Sequence, residues 1–277
     1  MRWLKRFAVF VGVAYLAVAG LAYAFQERLI FHPRVLAPDY RYDWGEERLV
    51  DVGGGVALST VWADGPGEDV ALFFHGNVGD NNRARYQARA LLASERYDVV
   101  AVDYRGFGKS GGAPESDAQL LADVQAVYDS VARVYPEDRI HLVGYSLGTG
   151  MAAYLAAENA PAHLTLIAPY TSLADMKDEL FWWLPDFLLA YRLDTRSRIG
   201  EIACPIAIYH GTADQLIPFW MAEELAGLAP KRATLHALEG ASHRGAVLGL
   251  EAGWLEAAQA AQAAAQGPKS RSSVTER

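Results

Sequence analysis

Ser146, Asp214 and His243 are the residues of this chain whose types and order could together perform acyl transfer. Ser146 sits in Gly144-Tyr145-Ser146-Leu147-Gly148, between the apolar run Ile140–Val143 and the alanine-rich stretch Leu147–Asn159. A serine on a tight strand-to-helix turn needs glycine two residues to either side, where backbones crowd. Such a turn lifts the hydroxyl above a sheet and aims the next N–H, that of Leu147, at the same space. The positive end of the helix dipole lies beneath it, where an oxyanion would develop. A chance match of two common residue types is the rival reading, and it weakens only if a base and an orienting acid follow. Among the later histidines, His163 and His236 fall in strand patterns and His210 directly ends one. His243 lies in the loop Gly240–Gly245 just past the last strand, which makes it the candidate base. Asp214 follows the carboxyl end of the strand Pro205–Tyr209, where open α/β sheets place their sites. Its plain alternative is a helix cap after the turn. Asp103 also ends a strand but precedes the serine, and its expected role is to bond the adjacent turn Arg105–Gly108. The loop His75–Asp80 supplies glycines that let amides turn toward a substrate. The Asn77 N–H is thus expected to join Leu147 in an oxyanion hole.

These groups require a scaffold, and the pattern from Arg48 onward provides one. Arg48–Val52 and Val56–Trp62 flank Gly53-Gly54-Gly55 as a hairpin at a sheet edge. Continuous apolar strands follow at Val70–Phe74, Tyr97–Asp103, Ile140–Val143, Leu164–Ala168, Pro205–Tyr209 and Thr234–Leu238. Helical periodicity lies between them at Asn82–Ser94, Gln119–Val134, Leu147–Asn159 and Trp220–Leu228. The series predicts an α/β fold with a mostly parallel eight-stranded sheet covered by helices on both faces. One insertion, about 169–204, breaks the alternation and carries Phe181-Trp182-Trp183-Leu184-Pro185 and Phe187-Leu188-Leu189. Segments of that length in a compact domain are usually lids or binding loops. Phe181, Trp182, Trp183 and Leu184 are therefore candidates for an apolar substrate pocket, against the alternative of ordinary core packing.

The chain has 277 residues, a formal charge of −8 and one cysteine, Cys204. Without a basic stripe the charge excludes nucleic acid as a partner, and a single cysteine excludes an internal disulfide. Arg2, Lys5 and Arg6 precede an uncharged apolar run, residues 7–25, about as long as the roughly 20 residues that cross a bilayer. Ala22-Tyr23-Ala24 would also suit signal cleavage, but the run exceeds the usual signal core of about 7–15 residues, which favours an anchor. The basic flank would then stay inside, with the rest of the chain outside the cytoplasm or secreted after cleavage. Arg28, Arg34 and Arg41 on the far side soften that orientation. The expected organisation is an anchor over 1–25, a catalytic domain over 26–266 and a disordered polar tail over 267–277. The terminal helix is expected at 246–266, and the sequence leaves the oligomeric state open.

The motifs Phe73-Phe74-His75-Gly76-Asn77, Val102-Asp103-Tyr104-Arg105-Gly106-Phe107-Gly108-Lys109-Ser110, Gly144–Gly148, His210-Gly211-Thr212-Ala213-Asp214 and Ser242-His243 occur in one order. Together they resemble the membrane-anchored, serine-aminopeptidase-like branch of the α/β-hydrolase superfamily. The opening Gln26–Pro33 after an apolar segment is similar to that branch as well. The resemblance implies the α/β-hydrolase sheet with a short lid, a Ser146–Asp214–His243 triad, an extracytoplasmic domain and no metal or organic cofactor. It leaves three functions open. One is a serine hydrolase of small-molecule acyl ester, thioester or lipid substrates, favoured by the apolar insertion and the membrane segment. Another is a serine aminopeptidase, for which Asp175, Asp178 and Glu179 could hold a substrate amine. The third is a catalytically idle, membrane-attached binding scaffold.

Overall fold

A computed structural model of the chain describes residues 1–94 and 96–248. In chain order the elements are α1 (Arg2–Ile30), β1 (His32–Pro33), β2 (Glu46–Asp51), β3 (Ala57–Ala63), β4 (Asp69–Phe74), β5 (Val78–Gly79), α2 (Asn81–Gln87) and α3 (Arg89–Leu92). Then follow β6 (Tyr97–Val102), α4 (Asp117–Ala132), β7 (Ile140–Tyr145), α5 (Gly148–Glu158), β8 (His163–Ile167) and α6 (Leu173–Phe181). The series ends with α7 (Arg196–Ile199), β9 (Ile206–Gly211), α8 (Phe219–Leu228), β10 (Ala233–Leu238) and α9 (His243–Leu248).

Eight strands form one sheet in the order β10-β9-β8-β7-β4-β6-β3-β2. Only β3 runs against its neighbours, pairing antiparallel with both β2 and β6. The expected mostly parallel eight-stranded sheet is therefore the observed one. Its central strands are apolar on both faces because helices cover both. Phe73 and Phe74 of β4, neighbours in sequence, are both fully buried in different core clusters, as a side-chain period of two demands. The glycines between β2 and β3 all take positive φ, +84°, +63° and +74°, which only glycine adopts freely in succession.

Three features depart from expectation. The helix expected over Asn82–Ser94 is two, α2 and α3, with Ala88 ending one and opening the next. The start is well defined, since the Asp80 side chain accepts the Asn82 and Arg83 N–H groups as an N-cap. A small parallel sheet of β1 and β5, not foreseen from sequence, ties the residues after α1 to the loop after β4. And α1 does not end at residue 25. It runs on to Ile30 and packs against the insertion, where Gln26 is buried. A boundary between 25 and 26 would cut a continuous helix. A short helix, α9, spans His243–Leu248, overlapping the start of the terminal helix expected over 246–266. The rest of that expected helix, and the tail expected over 267–277, lie outside the described residues.

Candidate active site

β7 delivers Ser146 to the carboxyl end of the sheet, and the turn into α5 fixes its pose. Ser146 takes φ +52°, a left-handed backbone that costs a residue with a Cβ about 1–2 kcal/mol. Its N–H bonds Ile167 O at 2.9 Å, and its carbonyl accepts both the N–H and the hydroxyl of Thr149. The glycine requirement is visible at both ends of the turn. A Cβ on Gly148 would stand 2.1 Å from Phe74 O, and one on Gly144 2.6 Å from Gly148 O.

The segments after two further strands, β9 and β10, bring the partners. His243 Nε2 lies 3.0 Å from Ser146 Oγ, and His243 Nδ1 lies 2.8 Å from Asp214 Oδ2. A carboxylate only accepts, so Nδ1 carries the proton and the Nε2 lone pair of the neutral ring faces the serine hydroxyl. The Asp214 side chain is fully buried. Its other oxygen, Oδ1, accepts the Leu216 and Ile217 N–H groups at 2.8 and 2.9 Å. Burial pushes this carboxyl up, but the hydrogen bonds from His210, His243 and Ile217 outweigh it and hold the group well below the usual carboxylate range. The alternative reading of Asp214 as a helix cap does not describe it, because α8 has Pro218 at that position.

The loop after β4 lies directly against the serine. A Cβ on Gly76 would be 3.3 Å from the Tyr145 ring and 3.6 Å from Ser146 Cβ. Asn77 is held by its flanks: its carbonyl accepts the His32 N–H at 2.8 Å, and its side-chain amide donates to Ile30 O at 2.9 Å. Among the described residues, neither the Asn77 nor the Leu147 N–H donates a hydrogen bond within the chain.

Sequence reasoning missed three supports. His210 is buried, and its Nε2 donates to Ile217 O at 2.9 Å while lying 3.3 Å from Asp214 Oδ2. Asp214 thus faces two imidazoles. Tyr145 lays its ring over His243 at 5.3 Å between centroids, with its hydroxyl 3.4 Å from the His243 carbonyl. The sequence signal for His210 was its place four residues before Asp214 on a strand end. Tyr145 had only its neighbour in the turn. Beneath the Gly76 loop, His75 and Asp103 are both fully buried and face each other at 3.4 Å, with the Tyr42 hydroxyl 3.0 Å from Asp103. Burial drives the Asp103 carboxyl up against the pull of His75 and Tyr42. Asp103 therefore does not bond the Arg105–Gly108 turn through its side chain, as expected. It fills the space that a Gly108 side chain would need, 1.9 Å from that Cβ.

The insertion residues separate. Phe181 and Leu184 line a cavity against α1. Trp183 turns toward Tyr15, and Trp182 is 79% exposed. The acidic residues considered for a substrate amine are largely engaged elsewhere. Asp175 accepts from Thr171, Ser172 and Arg196, and Asp178 pairs with Lys177.

An eight-stranded α/β sheet carrying a serine, histidine and aspartate in contact at its strand ends is the arrangement of the α/β-hydrolase class. The chain belongs to that superfamily. The family described as the alpha/beta hydrolase fold matches residues 70–197. An uncharacterised protein of Mycobacterium tuberculosis is 31% identical over 221 residues, covering 75% of this chain and 77% of its own. Lysophosphatidylserine lipase ABHD12 of Xenopus tropicalis is 28% identical over 204 residues, covering 62% of this chain and 53% of its own. The chain thus spans about half the length of that lipase. Among solved structures, the Pyrococcus furiosus esterase Pf2001 superimposes with a TM-score of 0.64 at 19% identity, covering 83% of this chain and 96% of that one. Est1E from Butyrivibrio proteoclasticus, with ferulic acid bound, gives 0.60 at 18% identity over 76% and 98%. At those identities the likeness is one of fold.

Proposed function

We propose that the protein is a serine hydrolase of carboxylic ester or thioester bonds, acting on lipid-like or medium-chain acyl groups. The observation that carries this reading is the unbroken hydrogen-bonded line Asp214–His243–Ser146, with the serine on a left-handed turn. Ser146 Oγ attacks the acyl carbonyl carbon while His243 Nε2 takes the hydroxyl proton. Asp214 holds the ring and stabilises the imidazolium. The carbonyl oxygen, now negative, is held by the Asn77 and Leu147 N–H groups, each worth about 3 kcal/mol to the transition state. His243 returns the proton to the leaving alcohol or thiol. The carbon–oxygen or carbon–sulfur bond breaks, leaving an acyl-Ser146. Water, deprotonated by His243, then attacks the acyl carbon; its bond to Ser146 Oγ breaks, His243 returns the proton to Oγ, and the acid leaves.

The lipid-like substrate class is supported by the apolar insertion beside α1 and by the relatives named as lysophosphatidylserine lipases. Helix α1 is long and apolar enough to cross a membrane, and we read it as a retained anchor with the domain on the extracytoplasmic side. A mature chain beginning at Phe25 by mass spectrometry would overturn that part. The engagement of Asp175 and Asp178 leaves Glu179 alone of the three acidic residues that motivated an aminopeptidase, which favours the ester reading.

A fluorophosphonate probe tests the core of the reading. Labelling of wild type at Ser146, abolished in Ser146→Ala, is the expected result. Folded wild type that takes no label, or equal labelling of the variant, would sink it and leave a binding scaffold. In a panel of acyl esters and aminoacyl amides, the esters should be preferred, and preference for amides would replace the substrate class.

A further inference from the structure

Helix α1 is fastened to the insertion at two levels. The Tyr15 hydroxyl donates to Trp183 O at 3.1 Å, with the two rings 6.1 Å apart. The buried Gln26 side chain donates to Leu188 O at 3.2 Å and accepts the Ala190 N–H at 2.8 Å. Beside the Gln26 contact lies a cavity of about 170 Å³. Its walls are apolar, with Tyr23 and Ile30 from α1 facing Leu173, Met176, Leu180 and Leu184. Among the described residues of its lining, the polar side chains apart from the tyrosine hydroxyl are Gln26, already bonded, and Lys177, which is engaged by Leu184 O, Asp178 and Asp186. The volume lies below the roughly 300–1,000 Å³ of clefts that take whole drug-sized molecules. It suits a length of hydrocarbon chain rather than a headgroup.

Each wall is continuous along the chain with a residue bonded near Ser146. At the end of α1, Ile30 O accepts the Asn77 side-chain amide, and the His32 N–H bonds Asn77 O. The facing wall, α6, is capped by Ser172, two residues after Tyr170, whose hydroxyl donates to Leu147 O at 3.1 Å. Through Ile30, a residue of its wall, the cavity stands one hydrogen bond from Asn77, whose amide is assigned to the oxyanion.

The outer end leads toward the membrane. From Gln26 to Tyr15 the insertion follows α1 for eleven residues, about 16 Å. The apolar run beyond that contact, Phe7–Ala14, is only about 12 Å long, against a hydrocarbon core of about 30 Å. If α1 crosses a bilayer, it carries the tip of the insertion in with it. That tip exposes Phe181, Trp182 and Phe187, the last two at 79% and 78%. Tryptophan favours the membrane boundary, and exposed phenylalanines beside it add apolar surface there. The nearby carboxylates Asp178 and Asp186 are paired with Lys177.

We propose that the cavity between α1 and the insertion binds an acyl chain of a bilayer lipid, drawn in from the membrane side, so that the membrane helix is itself one wall of the acyl site. The part concerning substrate rests on the hydrolase reading above; the lipid contact does not. The test uses the full chain in phosphatidylcholine nanodiscs doped with a phosphatidylcholine whose acyl chain bears a photoactivatable diazirine. Cross-links should map to peptides from Leu173–Leu189 and Tyr23–Ile30, in wild type and in Ser146→Ala alike. Filling the cavity from either wall, with Ala22→Trp or Leu184→Trp, should cut them about tenfold, the loss expected for roughly two displaced methylenes. Cross-links confined to Phe7–Tyr15, or unaltered by both substitutions, would overturn the proposal; the wild-type map decides even if a variant fails to fold. In parallel, the ratio of long-chain to short-chain ester turnover should fall about tenfold in the two variants. If wild type turns over neither ester, the hydrolase reading has failed, while the cross-link map still judges the cavity.

Discussion

At Ser146 a backbone with φ +52° holds the hydroxyl 3.0 Å from His243 Nε2. That conformation trades stability for position, and glycine would adopt it without strain. Ser146→Gly is therefore expected to add about 1 kcal/mol of stability, read as a higher urea midpoint, while abolishing ester turnover and probe labelling. A variant no more stable than wild type would contradict the account of strain. Cys204 makes a second residue-scale case. Burial pushes its thiol up to about 12, so near pH 8 only about one molecule in ten thousand carries the thiolate, which is the reactive form. Ellman's reagent should react with it slowly in the native protein and rapidly in denaturant. Fast native reaction would show the environment to be misjudged. At this scale the sequence located Ser146, Asp214 and His243 because residue type, order and strand ends all pointed to them. It could not locate the Tyr145 ring over His243 or the His75–Asp103 pair. Those depend on which side chains converge from different strands, and no local pattern encodes that.

The strands were legible because burial on both faces leaves a continuous apolar run, and β4 and β7 lie where such runs are. Helix ends were less so: α2 and α3 break at Ala88, a residue that carries no breaking signal of its own. Buried polar residues inside strands have their own consequences. His163, in β8, has its Nε2 without a partner among the described residues. Burial is the main cause that pushes its imidazole down to about 3, with the field of His141 adding to it. Between the ordinary histidine value and about 3 the unfolded chain binds a proton that the folded one refuses. Stability contributed by this residue is thus complete above the unfolded value and is lost as pH falls through that window. His163→Leu should flatten the decline, sparing about 3 kcal/mol by pH 4, as read from urea melts at pH 7 and pH 4. Parallel declines for the two proteins would remove His163 as a cause.

For the molecule as a whole, the attachment of α1 to the insertion through Gln26 is the decisive contact, joining the apolar helix to the segment beside the site. Gln26→Ala leaves the part-buried Leu188 carbonyl and Ala190 N–H without their partner, a loss of about 1 kcal/mol. That loss should fall on the local equilibrium of the insertion rather than on the sheet. Tryptic cleavage after Lys177 and Arg192 is expected to accelerate several-fold, with thermal unfolding of the core little changed. Unaltered cleavage would mean that α1 does not restrain the insertion.

The sequence by itself determined the α/β sheet, the elbow at Ser146, the candidate base and acid, and an apolar helix long enough for a membrane. Each of these is written in local periodicity or in the order of residues along the chain. Only the tertiary structure decided that Asp214 meets two imidazoles, that the Asn77 loop is pinned by the residues following α1, and that α1 closes a cavity with the insertion. Those outcomes come from packing between segments as many as 168 residues apart. Contacts of that range are selected by shape and by the pairing of buried polar groups, which a one-dimensional pattern does not carry.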